Sequence, residues 1–186
     1  MISECEKEQV YIVISQTSSA PSTMLKIITG AEYNHVSISL TDKLDTMYSF
    51  GRLNAYNPFI GGFVEESPNY GTFKRFKNTK IMVFSLEVGH EKHKEISDYI
   101  FNILSNREKY HYNYYSLFLA IFKKVKKRDN YFYCSEFVRD VLRNSNIEGS
   151  YEMPEIVQPI HFLNIPNIKL LYKGKLRDYS LKLTNK

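Results

Sequence analysis

The sequence has few cysteines and no tryptophan. Only Cys5 and Cys134 are cysteine among its 186 residues, which is too few for a disulfide framework or a four-ligand zinc site. No stretch approaches the roughly 20 apolar residues of a transmembrane helix. The first residues, MISECEKEQVYIVISQ, lack the basic region and apolar core of a secretory signal peptide. These absences predict a cytoplasmic protein, in which a cysteine stays a free thiol.

The sequence also lacks a strong charge of one sign. Its net charge of +5 permits weak contact with anions, such as a membrane surface, without requiring it. The one dense basic run, KKVKKR at 123–128, favours a solvated helix end. Nucleic-acid binding needs basic residues spread over a face with aromatic residues between them. We therefore expect no nucleic-acid partner.

The hydrophobic pattern changes along the chain from strands to helices. Alternation and β-rich composition predict strands at 9–17, 35–40, 46–52 and 80–88. Helical spacing then predicts helices at 90–106, 112–125 and 135–147, besides a short early helix at 21–30. Residues 56–71 contain many Pro, Gly and Asn residues and are predicted to be a loop. A final strand near 168–173 completes what we expect to be one α+β domain over residues 1–186.

Cys134 lies in NYFYCSEFVRDVL (130–142), at the first turn of a predicted amphipathic helix. It shares a helix face with Val138 and Val141, which fits a packed thiol. At a helix N-terminus, however, unpaired N–H groups and the helix dipole also stabilise a thiolate and lower its pKa. The residues alone leave both interpretations open. Glu136 points to another face of the helix and is interpreted as a structural residue of the first turn.

His35 is the best candidate for a base that could activate this cysteine. It begins an alternating strand in YNHVSISL (33–40), although an idle, half-exposed histidine is the alternative. Ser49, on the next predicted strand, can face the same side and hold the imidazole. A serine offers a hydrogen bond but no charge. The spacing of His90 and His93 is not that of a zinc protease motif, and no metal or organic cofactor is implied.

Together, YNHVSISL and YFYCSEFVRDVL resemble the circularly permuted members of the NlpC/P60 papain-like superfamily, the YiiX/YebB-like cysteine hydrolases. In that family the histidine precedes the cysteine, as His35 precedes Cys134 by 99 residues. The resemblance extends over about residues 10–175. It implies an α+β, permuted papain-like fold, with an antiparallel sheet or partial barrel packed against helices.

The resemblance also implies roles for particular residues. Cys134 takes the position of the nucleophile, His35 that of the base and Ser49 the third polar position, where relatives often have an acid, an amide or a histidine. Tyr131 and Tyr133 are candidates for the lining of the cleft or for oxyanion donors. The expected site is therefore a Cys–His pair with a weak third residue.

The function implied by this site is that of a cysteine hydrolase or acyltransferase. It would act through an acyl-enzyme on an amide or ester bond of a peptide, lipid or other small acyl conjugate. A catalytically weak or inactive module that binds a lipid or small ligand is the alternative, and a structural protein with a packed Cys134 is a third. Thiol reactivity that depends on His35 would separate the enzyme from the other two.

Overall fold

A six-stranded antiparallel sheet forms the central layer of the protein. A computed structural model describes residues 7–17, 32–121, 124, 126 and 128–179. The strands of the sheet are β1 (Lys7–Gln16), β2 (His35–Ser39), β3 (Met47–Asn54), β4 (Asn57–Glu66), β5 (Lys80–Gly89) and β8 (Lys169–Lys175). Their order in the sheet is β4-β3-β2-β1-β5-β8, and all neighbours are antiparallel. The short strands β6 (His111–Tyr112) and β7 (Tyr131–Phe132) form a separate parallel pair.

Four α-helices accompany the strands in the described part of the chain. They are α1 (Gly71–Arg75), α2 (His90–Ser105), α3 (Tyr114–Ile121) and α4 (Cys134–Asn144). The longer helices α2 and α4 bury residues at helical spacing, such as Ile96, Ile100 and Ile103 of α2. Within the described ranges, no helix combines the length and apolar character needed to cross a membrane. The predicted α+β class, with an antiparallel sheet packed against helices, is confirmed.

The sheet is buried on both faces. Val10, Ile12 and Ile14 of β1 belong to the larger core cluster, which also contains the buried residues of α2 and α4. Tyr11 and Val13 of the same strand belong to a smaller cluster on the other face. Because both faces are covered, β1 reads as a nearly continuous apolar run instead of a clean alternation.

The prediction of a loop at 56–71 was wrong over most of its length, because residues 57–66 form β4. This strand pairs with β3 from Met47–Glu66 to Gly51–Gly62. It is an edge strand, and an edge position tolerates proline and glycine because one side of the strand needs no ladder hydrogen bonds. The composition indicated a loop, but pairing with β3 determines the structure. The helix predicted at 21–30 lies outside the described residues.

Candidate active site

Cys134 is the first residue of α4, as predicted. The preceding residue, Tyr133, has an extended backbone (φ −99°, ψ 172°), so the helix begins at the cysteine. The first N–H groups of a helix have no intrahelical acceptor, and the positive end of the dipole lies there. The cysteine is only 6% exposed, and the backbone N–H of Val36 in β2 donates a hydrogen bond to its sulfur. The thiol therefore meets the sheet at the beginning of β2.

His35 is the first residue of β2 and forms a hydrogen bond with the side chain of Cys134. The two residues are 99 positions apart in the chain, and the packing of α4 on β2 brings them together. The other ring nitrogen is accounted for, because Nε2 lies against a carboxylate of β4. This leaves Nδ1 to face the sulfur.

The carboxylate that meets His35 belongs to Glu66, the last residue of β4. Its two oxygens lie 3.0 Å and 2.9 Å from His35 Nε2, and its side chain is only 9% exposed. The Ser37 hydroxyl donates a hydrogen bond of 2.5 Å to Glu66 Oε2, which fixes the carboxylate in place. A β-carbon at Gly51 would lie in van der Waals contact, at 3.5 Å, with both His35 Cε1 and Glu66 Oε1, so this position of β3 borders the pair.

Glu66, and not Ser49, therefore occupies the position next to the imidazole. Ser49 is fully buried, and its hydroxyl donates to the carbonyl oxygen of Val36 at 2.7 Å. The pairing of Ile38 with Tyr48 explains the difference, because counting back along an antiparallel pair puts Gly51 opposite His35. Ser49 lies two residues too early in β3 to hold the ring. The expectation that Ser49 is the third residue does not agree with these hydrogen bonds.

The two tyrosines predicted to line the cleft have other partners. The Tyr133 hydroxyl donates to the Val157 carbonyl oxygen at 3.1 Å. Tyr131 lies in β7, where the Arg128 guanidinium lies 3.6 Å from the centre of its ring. The hydroxyl of Tyr133 is therefore directed at a backbone carbonyl, and the ring of Tyr131 stacks with a cation.

Tyr112 is a partly buried tyrosine that interacts electrostatically with Cys134. The charge of a Cys134 thiolate contributes, after burial, to raising the pKa of Tyr112, and the guanidinium of Arg52 opposes this effect. Tyr112 lies in β6, beside the glycine of β4 at position 61, where a β-carbon would lie 2.9 Å from its ring. Sequence reasoning passed over this residue because 15 tyrosines give no single one a distinctive pattern.

Glu136 has a structural role at the start of α4, as the sequence indicated. Its Oε2 accepts a hydrogen bond of 3.1 Å from the backbone N–H of Tyr133 and one of 3.3 Å from Nδ2 of Asn113. Burial raises the pKa of Glu136, and these two hydrogen bonds oppose the rise. The side chain thereby fixes the helix end on which Cys134 stands.

The pKa values of Cys134 and His35 both shift toward the charged forms. Burial by itself raises the pKa of the thiol and lowers that of the imidazole. The charge of Glu66 and the hydrogen bonds of His35 outweigh burial and raise the pKa of His35 to about 10. The hydrogen bond and charge of His35, with the Val36 N–H, hold the pKa of Cys134 below its ordinary value. Both shifts therefore favour a thiolate–imidazolium pair over the neutral thiol and imidazole.

Comparison with known proteins adds evidence on the fold. The chain matches no protein-family model, and none of the curated proteins matches it. Among solved structures, the metalloprotein YiiX of Escherichia coli is similar, with a TM-score of 0.54 and 14% sequence identity. The match covers 90% of this chain and 98% of that one. The chain has a YiiX-like fold. At this identity the likeness concerns the fold alone.

The position of Glu66 at the end of β4 explains why the sequence pattern did not predict this carboxylate. Glu66 ends the segment FVEE (63–66), where an acidic residue follows an apolar run at the end of a strand. That signal was available, but the surrounding Gly and Pro residues led to the prediction of a loop. Without β4, the sequence offered Ser49 as the nearest polar residue for His35.

Proposed function

We propose that this chain is a permuted NlpC/P60 papain-like cysteine hydrolase or acyltransferase that acts on an amide or ester bond. The observation that carries the proposal is the continuous series of contacts from Cys134 through His35 to Glu66. A cysteine that merely fills space at a helix end needs neither a base nor a buried carboxylate behind that base. A nucleophile needs a base, and a third group behind the base holds it in one orientation.

The first half of the reaction is acylation of the cysteine. The Cys134 thiolate attacks the substrate carbonyl carbon, and a carbon–sulfur bond forms as the carbonyl oxygen takes the negative charge. The backbone N–H of Cys134, at the free end of α4, is suited to stabilise this oxyanion. The His35 imidazolium then gives its proton to the leaving nitrogen or oxygen, whose bond to carbon breaks. The product of this half-reaction is a thioester on Cys134.

The second half removes the acyl group. Neutral His35 takes a proton from water, or from another acceptor, as that oxygen attacks the thioester carbon. The carbon–sulfur bond breaks, and the thiolate–imidazolium pair is restored. The negative charge of the Glu66 carboxylate stabilises the imidazolium, which a serine hydroxyl cannot do.

The buried carboxylate favours an active enzyme over an inactive binding module. The argument for lost activity depended on Ser49 as a weak third residue. Glu66 supplies both the hydrogen bond and the charge that such a serine would lack. We therefore favour catalysis over ligand binding alone.

The similar protein YiiX is described as a metalloprotein, so the fit of a metal to this chain needs a test. Within the described ranges, no group of three or more His, Cys, Asp or Glu side chains has an arrangement that could hold a metal ion. The described residues therefore do not fit a metal, and the proposed reaction uses only groups of the protein itself.

Thiol alkylation tests the proposal directly. In a Cys5→Ser background, Cys134 is the one remaining thiol, so its rate of reaction with iodoacetamide can be followed against pH. We expect a midpoint well below the ~8.5 of a free thiol. His35→Ala should raise the midpoint, because the hydrogen bond and charge of His35 are the largest effects that oppose burial, and should slow labelling at pH ~6.5 by at least about tenfold.

His111→Ala is the matched control, because His111 is an exposed histidine of β6, and it should leave the profile unchanged. Sluggish labelling of Cys134 that is indifferent to His35→Ala would refute the proposed role of the pair. Fluorogenic peptides and acyl esters then form the first substrate screen, with Cys134→Ser as the inactive reference.

A further inference from the structure

The tip of the β3–β4 hairpin exposes a cluster of large apolar side chains. Leu53 is 55% exposed, Tyr56 79%, Phe59 83% and Ile60 50%. Exposed apolar residues that stand singly are normal on protein surfaces. Four of them within eight consecutive residues are different, because a contiguous apolar patch marks a contact surface. These four residues are called the hairpin tip below.

The pairing of the two strands gathers these side chains at one place. Asn54 pairs with Asn57, whereas Arg52 pairs with Gly61. Three residues of β4 therefore oppose Leu53 alone, and this bulge holds Phe59 and Ile60 across from it. The hairpin lies at the edge of the sheet. The apolar cluster thus lies at the turn end of an edge hairpin.

A positively charged side chain contacts the hairpin tip. The Arg75 guanidinium lies 4.1 Å from the centre of the Tyr56 ring, and the same side chain donates to the carbonyl oxygen of Ala55. Residues 71–79, which follow the hairpin, contain Lys74, Arg75 and Lys77 and no acidic residue, and residues 46–64 contain Arg52 and no acidic residue. An apolar cluster with basic residues beside it is the pattern of a surface that enters an anionic membrane interface.

The aromatic and basic character continues from the hairpin to α3. A β-carbon at Gly61 would lie 2.6 Å from the hydroxyl of Tyr114, so β4 and the start of α3 are neighbours. Tyr114 is 42% exposed and Tyr115 47%, and the Lys126 ammonium lies 5.5 Å from the centre of the Tyr115 ring. A tyrosine side chain has an apolar ring and a polar hydroxyl, and it is therefore favoured in the headgroup region of a membrane.

We infer that the hairpin tip docks on an anionic lipid bilayer. Leu53, Phe59 and Ile60 enter the boundary between headgroups and acyl chains, and Arg75 and its basic neighbours contact lipid phosphates. An anionic bilayer has negatively charged headgroups above an apolar interior. This order matches the protein surface, in which apolar side chains form the tip and basic side chains lie beside it. The inference does not depend on the proposed hydrolase chemistry, because docking needs neither the thiol nor the histidine.

Vesicle co-sedimentation of the full chain tests the inference. We expect binding to vesicles of phosphatidylcholine and phosphatidylglycerol in equal amounts, weaker binding to phosphatidylcholine alone, and a loss of the difference at high salt. Leu53→Ser and Phe59→Ser should each weaken binding to the mixed vesicles by about tenfold, since each removes one inserted apolar side chain. Arg75→Gln should weaken it by about fivefold and leave binding to phosphatidylcholine unchanged.

Leu170→Ser is the matched control. Leu170 is also 55% exposed, but it lies in β8 at the opposite edge of the sheet, so its substitution should not change vesicle binding. Circular dichroism shows that each variant is folded before it is compared. An equal loss with Leu170→Ser, or no binding of the wild-type chain to mixed vesicles, would overturn the inference.

Two further measurements identify the cause of a failure. If the wild-type chain instead forms a dimer that Phe59→Ser dissociates, without vesicle binding, the hairpin tip is a self-association surface and the inference is wrong. Cys134→Ser should bind vesicles as the wild type does, and Phe59→Ser should keep the wild-type alkylation rate of Cys134. A failure of membrane docking is therefore distinguishable from a failure of the proposed chemistry.

Discussion

Glu66→Gln removes a charge from the candidate site and leaves most of its geometry in place. The glutamine amide oxygen can still accept a hydrogen bond from His35 Nε2, as the carboxylate does at 2.9 Å. What disappears is the negative charge that stabilises the imidazolium. The substitution therefore separates the charge of Glu66 from its function as a hydrogen-bond acceptor.

The size of the effect follows from the contact. An opposite charge at such a distance typically shifts a pKa by 1–3 units, and Glu66 is shielded from water, with a side chain 9% exposed. We therefore expect the pKa of His35 to fall from about 10 by ~2 units, which corresponds to ~2.7 kcal/mol of lost stabilisation of the imidazolium. Because the protonated form of His35 is then less stable, it stabilises the thiolate less, and the pKa of Cys134 should rise.

The pH profile measures both shifts. The ion pair exists between the pKa of Cys134 on the acid side and that of His35 on the alkaline side. In Glu66→Gln the acid limb of the pH profile should move to higher pH, and the alkaline limb should move to lower pH by ~2 pH units. The pH range in which the ion pair exists therefore becomes narrower at both ends. Alkylation of Cys134 in the Cys5→Ser background gives the acid limb. NMR titration of the His35 ring, or kcat/KM against pH for a substrate from the screen, gives the alkaline limb.

Glu65→Gln is the control for this substitution. Glu65 is the preceding residue of β4, and its carboxylate acts on the pKa values of Tyr48 and Tyr70, so its loss should move neither limb. If the alkaline limb of Glu66→Gln coincides with that of the wild type, the charge of Glu66 does not hold the histidine protonated, and the electrostatic account of the site is wrong.

Two further substitutions test the position of Ser49 and the packing of the core. Ser49→Ala should leave the alkylation profile of the cysteine unchanged and should lower the free energy of unfolding by ~1 kcal/mol, because the Val36 carbonyl loses a buried donor; a change in the profile would restore Ser49 as a partner of the histidine. Phe137→Ala should lower the free energy of unfolding in urea by ~3–5 kcal/mol, since this ring is fully buried and packs on two phenylalanines at 5.5 Å. Phe101→Ala, at a ring that is 43% exposed, should cost well under half as much, and equal losses would contradict the packing argument.

The parts of the fold that follow local patterns could be predicted from the sequence. The alternation at 35–40 gave β2, and the helical spacing after Cys134 gave α4. The contact between His35 and Cys134 was expected from the family resemblance, because the two motifs occur in the order typical of that family. No local pattern joins residues 99 positions apart.

The carboxylate could not be predicted in the same way, because its position depends on pairing between distant backbones. Glu66 reaches His35 only because β4 extends to residue 66 and pairs with β3. Local composition indicated a loop at these residues. Hydrogen bonds to another strand make the segment a strand instead. The error at Ser49 has the same origin. A strand pattern identifies the face on which a side chain lies, but the register decides which residue it meets.

Burial and reactivity have an unusual relation at Cys134. A thiol in a core is ordinarily protected by the fold, and denaturation exposes it to reagents. This thiol is 6% exposed, yet it owes its nucleophilicity to a histidine that only the folded chain brings near. In the unfolded chain it becomes an ordinary thiol with a pKa of ~8.5. In mildly acidic solution, denaturation therefore makes the sulfur easier to reach and less reactive. The native state is also the state in which the Cys134 thiol is most sensitive to oxidation. Unfolding therefore lowers the reactivity of this cysteine.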